Sequence, residues 1–251
     1  MIIAIDIGNS TIGFAFLKAG EVSHVSRLEN LPGSDLMEAK LDNFLESARE
    51  RYAIKKAVIC SVVPQAQKML TRKIKRLWGL GPEIVGRDIK VPIRNKYRSP
   101  RQVGKDRLLC AFAARELYGA PAVVIDLGTA ITFDGISAQG DYLGGAIIPG
   151  LRLSAEALFE KTALLPRVTV AEPRKVIGRS TDESIQSGIF HGYGALCDGM
   201  VSRLADEMRV KRVKVVMTGG HADIMKKFMR IPVEVVDQNL IYKGMGLLLP
   251  V

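Results

Sequence analysis

The sequence predicts a duplicated α/β fold, and three observations carry that reading. An apolar strand ends in Asp6-Ile7-Gly8-Asn9 near the start of the chain, and another ends in Asp126-Leu127-Gly128-Thr129 half-way along it. The two stretches align without a gap at an offset of 120 positions (126 minus 6), which also matches the turn glycines Gly20 and Gly140. Each is followed by the same succession of short apolar strand, turn and basic amphipathic helix.

In the first half, residues 2–7 form an apolar run expected to be a buried strand. Residues 12–17 and 21–27 give a second and third strand around a turn at Lys18-Ala19-Gly20. The order returns at 122–127, 131–136 and 142–148, with a turn at Ala138-Gln139-Gly140. Later, an apolar strand at 57–62 leads through Val63-Pro64 to a helix at 66–77, and one at 213–217 leads through Thr218-Gly219-Gly220 to a helix at 222–229. Residues 83–86 and 234–237 supply a short last strand in each half. The pattern is β-β-β-α-β-α-β twice, with mixed five-stranded sheets. A helix over 105–118 followed by Gly119 and Pro121 puts the boundary there, giving domains 1–118 and 119–251.

A chain of 251 residues that is 47% apolar can bury one large core or two smaller ones without disulfide staples. Cys60, Cys110 and Cys197 lie far apart in apolar surroundings, with no CxxC spacing, and are expected to be reduced core thiols. The start reaches Asp6 too early for a secretory signal, and no apolar run approaches the roughly 20 residues of a membrane span, so a cytoplasmic protein away from membranes is expected. The net charge of +10 would suit an anionic small molecule or nucleic acid. Nucleic acid is the poorer fit, because the 6% of aromatic residues do not interleave with the basic runs as stacking platforms do.

The two Asp-x-Gly turns carry the chemistry. GxxxxGK[ST] is absent, as is a GxGxxG opening a helix, which excludes the P-loop and dinucleotide-binding patterns. Instead, a carboxylate at a strand end can hold a hydrated cation, while Gly8 and the small polar Asn9, Ser10 and Thr11 bring backbone N–H groups and hydroxyls to phosphate oxygens. A single Asp-x-Gly is as readily a plain turn. Its duplication at matching positions is what points to nucleotide.

Gly104-Lys105-Asp106-Arg107 opens a helix and has no counterpart in the second half. Asp106 in the first turn is favoured in its ionised form by the helix dipole and the flanking cations. It suits either a helix start or the uptake of a hydroxyl proton. Gly144-Gly145 and Pro149-Gly150 admit two readings, close approach of a nucleotide or tight packing. Ser180 and Glu183 form a capping-box signature around Thr181. His24, His191 and His221 are not spaced as metal ligands.

The duplicated arrangement resembles the superfamily of actin and the acetate and sugar kinases, in which nucleotide sits between two ribonuclease-H-like domains. Within it the chain is similar to the type III pantothenate kinases. The likeness rests on Asp6 to Ser10, Tyr97 with Pro100, Gly104 to Arg107, Asp126 to Ala130, Gly144-Gly145 with Pro149-Gly150, and Thr218-Gly219-Gly220. The family's Tyr-x-Asn-Pro reads Tyr97-Arg98-Ser99-Pro100 here, and Pro100 biases Ser99 towards the extended conformation.

The resemblance implies ATP-dependent phosphorylation of pantothenate to 4'-phosphopantothenate, at the start of coenzyme A synthesis, by a homodimer. It implies that ATP with magnesium meets Asp6, Ile7, Gly8, Asn9, Ser10, Thr11, Ile12, Gly13 and Thr129. Asp126 would hold a monovalent cation, potassium or ammonium. Tyr97, Gly104, Lys105, Asp106, Arg107 and Thr181 would meet pantothenate, with Asp106 the catalytic base. Two rivals share the fold: a sugar or acetate kinase with a different acceptor pocket, and a non-catalytic transcriptional regulator.

Overall fold

The computed structural model describes residues 1–30 and 33–249 and resolves into two compact units. The first comprises residues 1–93, 99–113 and 239–251, and the second residues 94–98 and 114–238.

In the first unit, β1 (Ile2–Ile7), β2 (Thr11–Lys18) and β3 (Glu21–Glu29) form an antiparallel meander. After α1 (Asp35–Arg51), β4 (Lys56–Ser61) returns parallel to β1, and after α2 (Pro64–Trp78) the short β5 (Glu83–Ile84) extends the sheet. The strand order is β3-β2-β1-β4-β5. Strand period two divides its residues between two faces. Ile3, Ile5, Ile7, Ile12, Phe14 and Phe16 turn to one face and pack with Met37, Leu41 and Leu45 of α1 and Leu70 and Ile74 of α2. The opposite face carries Ala4, Asp6, Gly13 and Cys60 in this register.

Local chemistry sets the helix ends. Ser34 caps α1 by accepting the Met37 N–H, and Gly79, at φ 67°, ends α2 in the left-handed conformation that costs glycine least. A three-residue turn (Pro100–Gln102) then precedes α3 (Lys105–Tyr118).

The second unit repeats the plan with β6 (Ala122–Leu127), β7 (Ala130–Ile136), β8 (Tyr142–Pro149), α4 (Leu151–Lys161), α5 (Thr181–Glu207), β9 (Lys214–Thr218), α6 (Ala222–Lys226) and β10 (Val235–Val236). Its order is β10-β9-β6-β7-β8, and Val123, Ile125, Leu127, Ile131 and Phe133 pack with Leu151, Ile185, Phe190, Cys197 and Met225. Ser180 accepts the Glu183 N–H at 3.2 Å, so the capping signature is real. The Glu183 carboxylate reaches back to the Arg179 N–H at 2.7 Å rather than to that of Ser180. Among the described residues no helix is long and apolar enough to cross a membrane.

Two features differ from the sequence expectation. The chain ends in a further helix, α7 (Leu240–Leu247), that the repeat did not predict and that belongs to the first unit. The gapless offset of 120 also fails in detail. Ile7 pairs with Ile12 across a four-residue loop, whereas Leu127 pairs with Ile131 across three. The second loop is one residue tighter, and the following turn recovers the residue: Leu17 pairs with Val22 across four residues, but Ile136 with Tyr142 across five.

Candidate functional site

In the first unit the Asp6 loop is a built turn. Gly8 donates its N–H to the Thr11 carbonyl at 2.9 Å, and Val62, just beyond β4, donates to the Ile7 carbonyl at 3.1 Å. Asn30 pins the loop from behind: its Nδ2 donates to the Gly8 carbonyl at 2.7 Å and its N–H to the Ser10 carbonyl at 2.8 Å. Asn30 is 3% exposed, and its Oδ1 has no hydrogen-bond partner among the described residues. Asn30 lies beyond the strand expected at 21–27, which runs on to Glu29, and nothing in the local sequence marks it. Asn9, Ser10 and Thr11 are exposed. Ile7 and Ile12 send their side chains into the core, so only their main chain could meet a ligand.

Asp106 lies in the first turn of α3, and its Oδ1 accepts the Arg107 N–H at 2.8 Å. Gly104 makes room for this carboxylate, because a Cβ there would overlap Asp106 Oδ1. Lys105 lays its stem across Gly86 (φ 84°), where a Cβ would come within 2.6 Å of Lys105 Cδ. The Asp6 and Asp106 neighbourhoods meet at Cys60, which is fully buried. Burial pushes its thiol well above the ordinary range, the negative charges of Asp6 and then Asp106 push it further, and Lys105 opposes them. Cys60 is thereby an inert thiol that registers both carboxylates.

In the second unit Asp126 ends β6, level with Thr132 on β7 and Thr218 on β9. Two glycines let neighbouring backbone close on its loop. A Cβ on Gly219 (φ 91°) would lie 2.5 Å from Asp126 Oδ1 and 2.7 Å from the Leu127 N. A Cβ on Gly150 would lie 2.5 Å from the Gly128 carbonyl oxygen, and the Gly150 N–H donates to the Thr129 carbonyl at 2.9 Å. His221, whose N–H donates to the Leu127 carbonyl at 3.3 Å, stands beside them. Its side-chain Nδ1 is buried with no partner among the described residues, and burial, then the charge of Arg152, lowers its pKa. Thr218-Gly219-Gly220 and Gly150 therefore converge on the Asp126 turn.

Gly144-Gly145 does a different job. Gly145 lies so close to β7 that a Cβ would overlap the Phe133 carbonyl, and Gly144 (φ 113°) seats the Tyr97 ring, whose Cδ2 would be 3.0 Å from a Cβ. Tyr97 reaches this seat because residues 94–98 run along β8. The Tyr142 N–H donates to the Arg94 carbonyl at 2.9 Å, and the Lys96 N–H to the Tyr142 carbonyl at 2.8 Å. Tyr97 thus belongs to the second unit, although it is nine positions from Asp106, which belongs to the first. Thr181 opens α5 and lines an apolar groove of about 370 Å³ with Leu158, Leu165, Ile185 and Ile189.

Among the described residues no group of three or more His, Cys, Asp or Glu is gathered as a metal cage. Magnesium is usually held by one or two carboxylates together with substrate phosphates and water, and the half-buried Asp6 beside an exposed hydroxyl-bearing turn fits that mode.

Comparison with known proteins gives the family and the fold. The family model for type III pantothenate kinase matches residues 2–203. A type III pantothenate kinase of Persephonella marina is 40% identical over 247 residues, covering 97% of this chain and 96% of the relative. One from Finegoldia magna is 36% identical over 253 residues, covering 99% and 96%. In fold, the chain resembles a Campylobacter jejuni protein described as a Baf family transcriptional activator (TM-score 0.62, 20% identity, 98% and 96% covered). It also resembles the ROK family glucokinase of Streptomyces griseus (TM-score 0.54, 13% identity, 98% of each chain). The two mixed five-stranded sheets are thus of the actin-like, sugar-kinase type, and by profile and by relatives matched along nearly their whole length the chain belongs to the type III pantothenate kinase family.

Proposed function

We propose that this chain carries out its family's reaction, the ATP-dependent phosphorylation of pantothenate to 4'-phosphopantothenate, through the following residues. Asp106 accepts the proton of the pantothenate hydroxyl as its oxygen attacks the γ-phosphorus and the bond to the ADP oxygen breaks. The residue 6–13 turn holds ATP phosphates through the Gly8 backbone and the Asn9, Ser10 and Thr11 side chains, and Asp6 holds the magnesium shell. Magnesium supplies charge neutralisation on the phosphates. Asp126 takes a monovalent cation and Thr129 meets ATP. Tyr97, Gly104, Lys105, Arg107 and Thr181 hold pantothenate.

The observation that carries the reading is the pair Asp6, near the end of β1, and Asp106, in the first turn of α3, two carboxylates from distant positions gathered in one compact unit. Phosphoryl transfer depends chiefly on positioning and charge neutralisation, and this pair offers one group for the metal shell and another for the proton. A homodimer is part of the proposal. The edge strand β8 and α4 expose Leu143, Ile147, Leu153 and Phe159, apolar area that a second copy would cover. A cytoplasmic location accords with three buried free thiols.

ADP release measured with pantothenate present and absent, in potassium and then in sodium buffer, tests acceptor and cation together. Release that requires pantothenate and runs at least several-fold faster in potassium is expected. The Asp126→Asn variant should lose the difference between the two salts. Release with a sugar or acetate in place of pantothenate would sink the acceptor assignment.

A further inference from the structure

The far face of the first sheet carries a row of side chains at the level of Asp6: Arg27 on β3, Gly13 on β2, Asp6 on β1 and Cys60 on β4. The gap in this row at Gly13 is filled from outside the sheet. A Cβ on Gly13 would overlap the hydroxyl of Tyr242 and lie 3.2 Å from its Cζ, so the phenol of α7 occupies the space of a residue-13 side chain. Tyr242 is 2% exposed, and α7 is seated by two more glycines. A Cβ on Gly244 would lie 3.0 Å from Leu109 Cδ1, and one on Gly246 2.7 Å from the Gly20 carbonyl oxygen. Directly opposed residues of an antiparallel pair have their Cβ atoms about 5 Å apart. The Tyr242 hydroxyl, 1.8 Å from that Gly13 Cβ position, therefore stands roughly 3–7 Å from the Asp6 Cβ, within reach of the carboxylate directly or through one water. Arg27 lies on its other side, where a Gly13 Cβ would be 3.9 Å from Arg27 Cγ.

We infer that Tyr242 is a positioning residue of the phosphate and magnesium site: its hydroxyl, delivered into the Gly13 notch by the C-terminal helix, orients the Asp6 carboxylate and its hydration. Gly13 has no side chain to offer at this position, and the notch admits a group of the size of one hydroxyl. A buried phenol brings a neutral O–H donor to this place. A neutral donor beside a carboxylate can fix its rotamer without competing with a cation for the charge. The inference rests on the proposed role of Asp6 in holding the magnesium shell.

The test is Tyr242→Phe, which keeps the ring and removes the hydroxyl. Binding of a non-hydrolysable ATP analogue with magnesium is measured by calorimetry, alongside thermal unfolding without ligand and the KM for pantothenate. The expected result is analogue binding weakened about five- to tenfold and a magnesium titration shifted to higher concentration. The pantothenate KM should stay within twofold and the unfolding temperature within a few degrees. Analogue binding equal to that of the unsubstituted protein would overturn the inference. So would a loss of binding that follows only a large fall in unfolding temperature, since that is packing alone. Asp6→Asn is the control for the underlying reading. If it binds magnesium and analogue normally, the role of Asp6 has failed. If it loses binding while Tyr242→Phe does not, only the role of Tyr242 has failed. Gly13→Ala checks the notch itself: it should destabilise the protein with Tyr242 in place and much less in the Tyr242→Phe background, where the nearest ring atom is 3.2 Å away.

Discussion

The Asp6 and Asp126 turns occupy the same place in two copies of one sheet, yet they are supported differently. Asp6 faces a glycine across the hairpin, and its turn is held by a buried amide, Asn30, from the end of β3. Asp126 faces Thr132, whose hydroxyl donates at 3.1 Å to the 1% exposed Asp134, to which Tyr142 also donates at 2.8 Å. Its turn is one residue shorter and is closed by backbone from Gly150 and Gly219. The first turn is roomy, with three exposed polar side chains, and suits a flexible polyanion and its metal. The second is clasped on two sides, and such rigidity suits selection of one ion by size. A duplicated strand-end aspartate thus gives two environments, because what packs behind it was not duplicated.

The largest expected effect tests the element found only in the first unit. Asp106→Asn keeps the size of the side chain and the Oδ1 that accepts the Arg107 N–H, but it cannot take a proton. Turnover should fall about a thousandfold, within the usual range for removal of a general base, while binding of ATP analogue stays within twofold. Turnover within tenfold of the unsubstituted enzyme would remove Asp106 from the proton transfer. A smaller effect tests the clasp in the second unit. Gly219→Ala would force a Cβ to 2.5 Å from Asp126 Oδ1 at a φ of 91°, and a loss of about 2 kcal/mol in urea unfolding is expected. The fingerprint is a reduced potassium stimulation with an unchanged magnesium titration. If both titrations move together, the two turns do not divide the ions as their packing suggests.

Strand alternation and turn glycines made both sheets legible, because those signals are local and each strand has one face to bury. The helix expected at 105–118 coincides with α3 because Gly104 marks its start. The helix expected at 222–229 stops at Lys226, and α7 was invisible, since Leu240–Leu247 carries two glycines that read as breakers. Their use is tertiary, in letting α7 sit close to Leu109 and Gly20. The candidate residues in the turns were legible from the repeat. Asn30, Asp134 and Tyr242 were not, because each acts from a different strand or helix and nothing near it in sequence marks it. The choice between nucleotide loop and tight packing for Gly144-Gly145, undecidable from local sequence, goes to packing once the Tyr97 ring is seen against it.

The smallest expected effect separates the turns by pH. His221 sits only in the second, half-buried beside Leu127 and near Arg152, and burial and that positive charge disfavour its charged form. Its pKa in the folded protein is therefore below the unfolded value of about 6.5. Under acid conditions the unfolded chain binds a proton that the folded chain resists. The stability from a neutral His221 is full above about pH 6.5 and is lost progressively as pH falls from there towards the depressed folded value. The residue is partly exposed, so the change is modest. Its sign is fixed: unfolding monitored in urea from pH 7.5 to 5.5 should show stability falling with pH, and His221→Gln should flatten that slope. The equivalent position in the first unit, Val63, which like His221 is the residue just before the helix that follows the strand, cannot titrate, so this contribution belongs to the Asp126 side. A slope that survives His221→Gln intact would assign the acid sensitivity to other groups and leave the two turns alike in this respect.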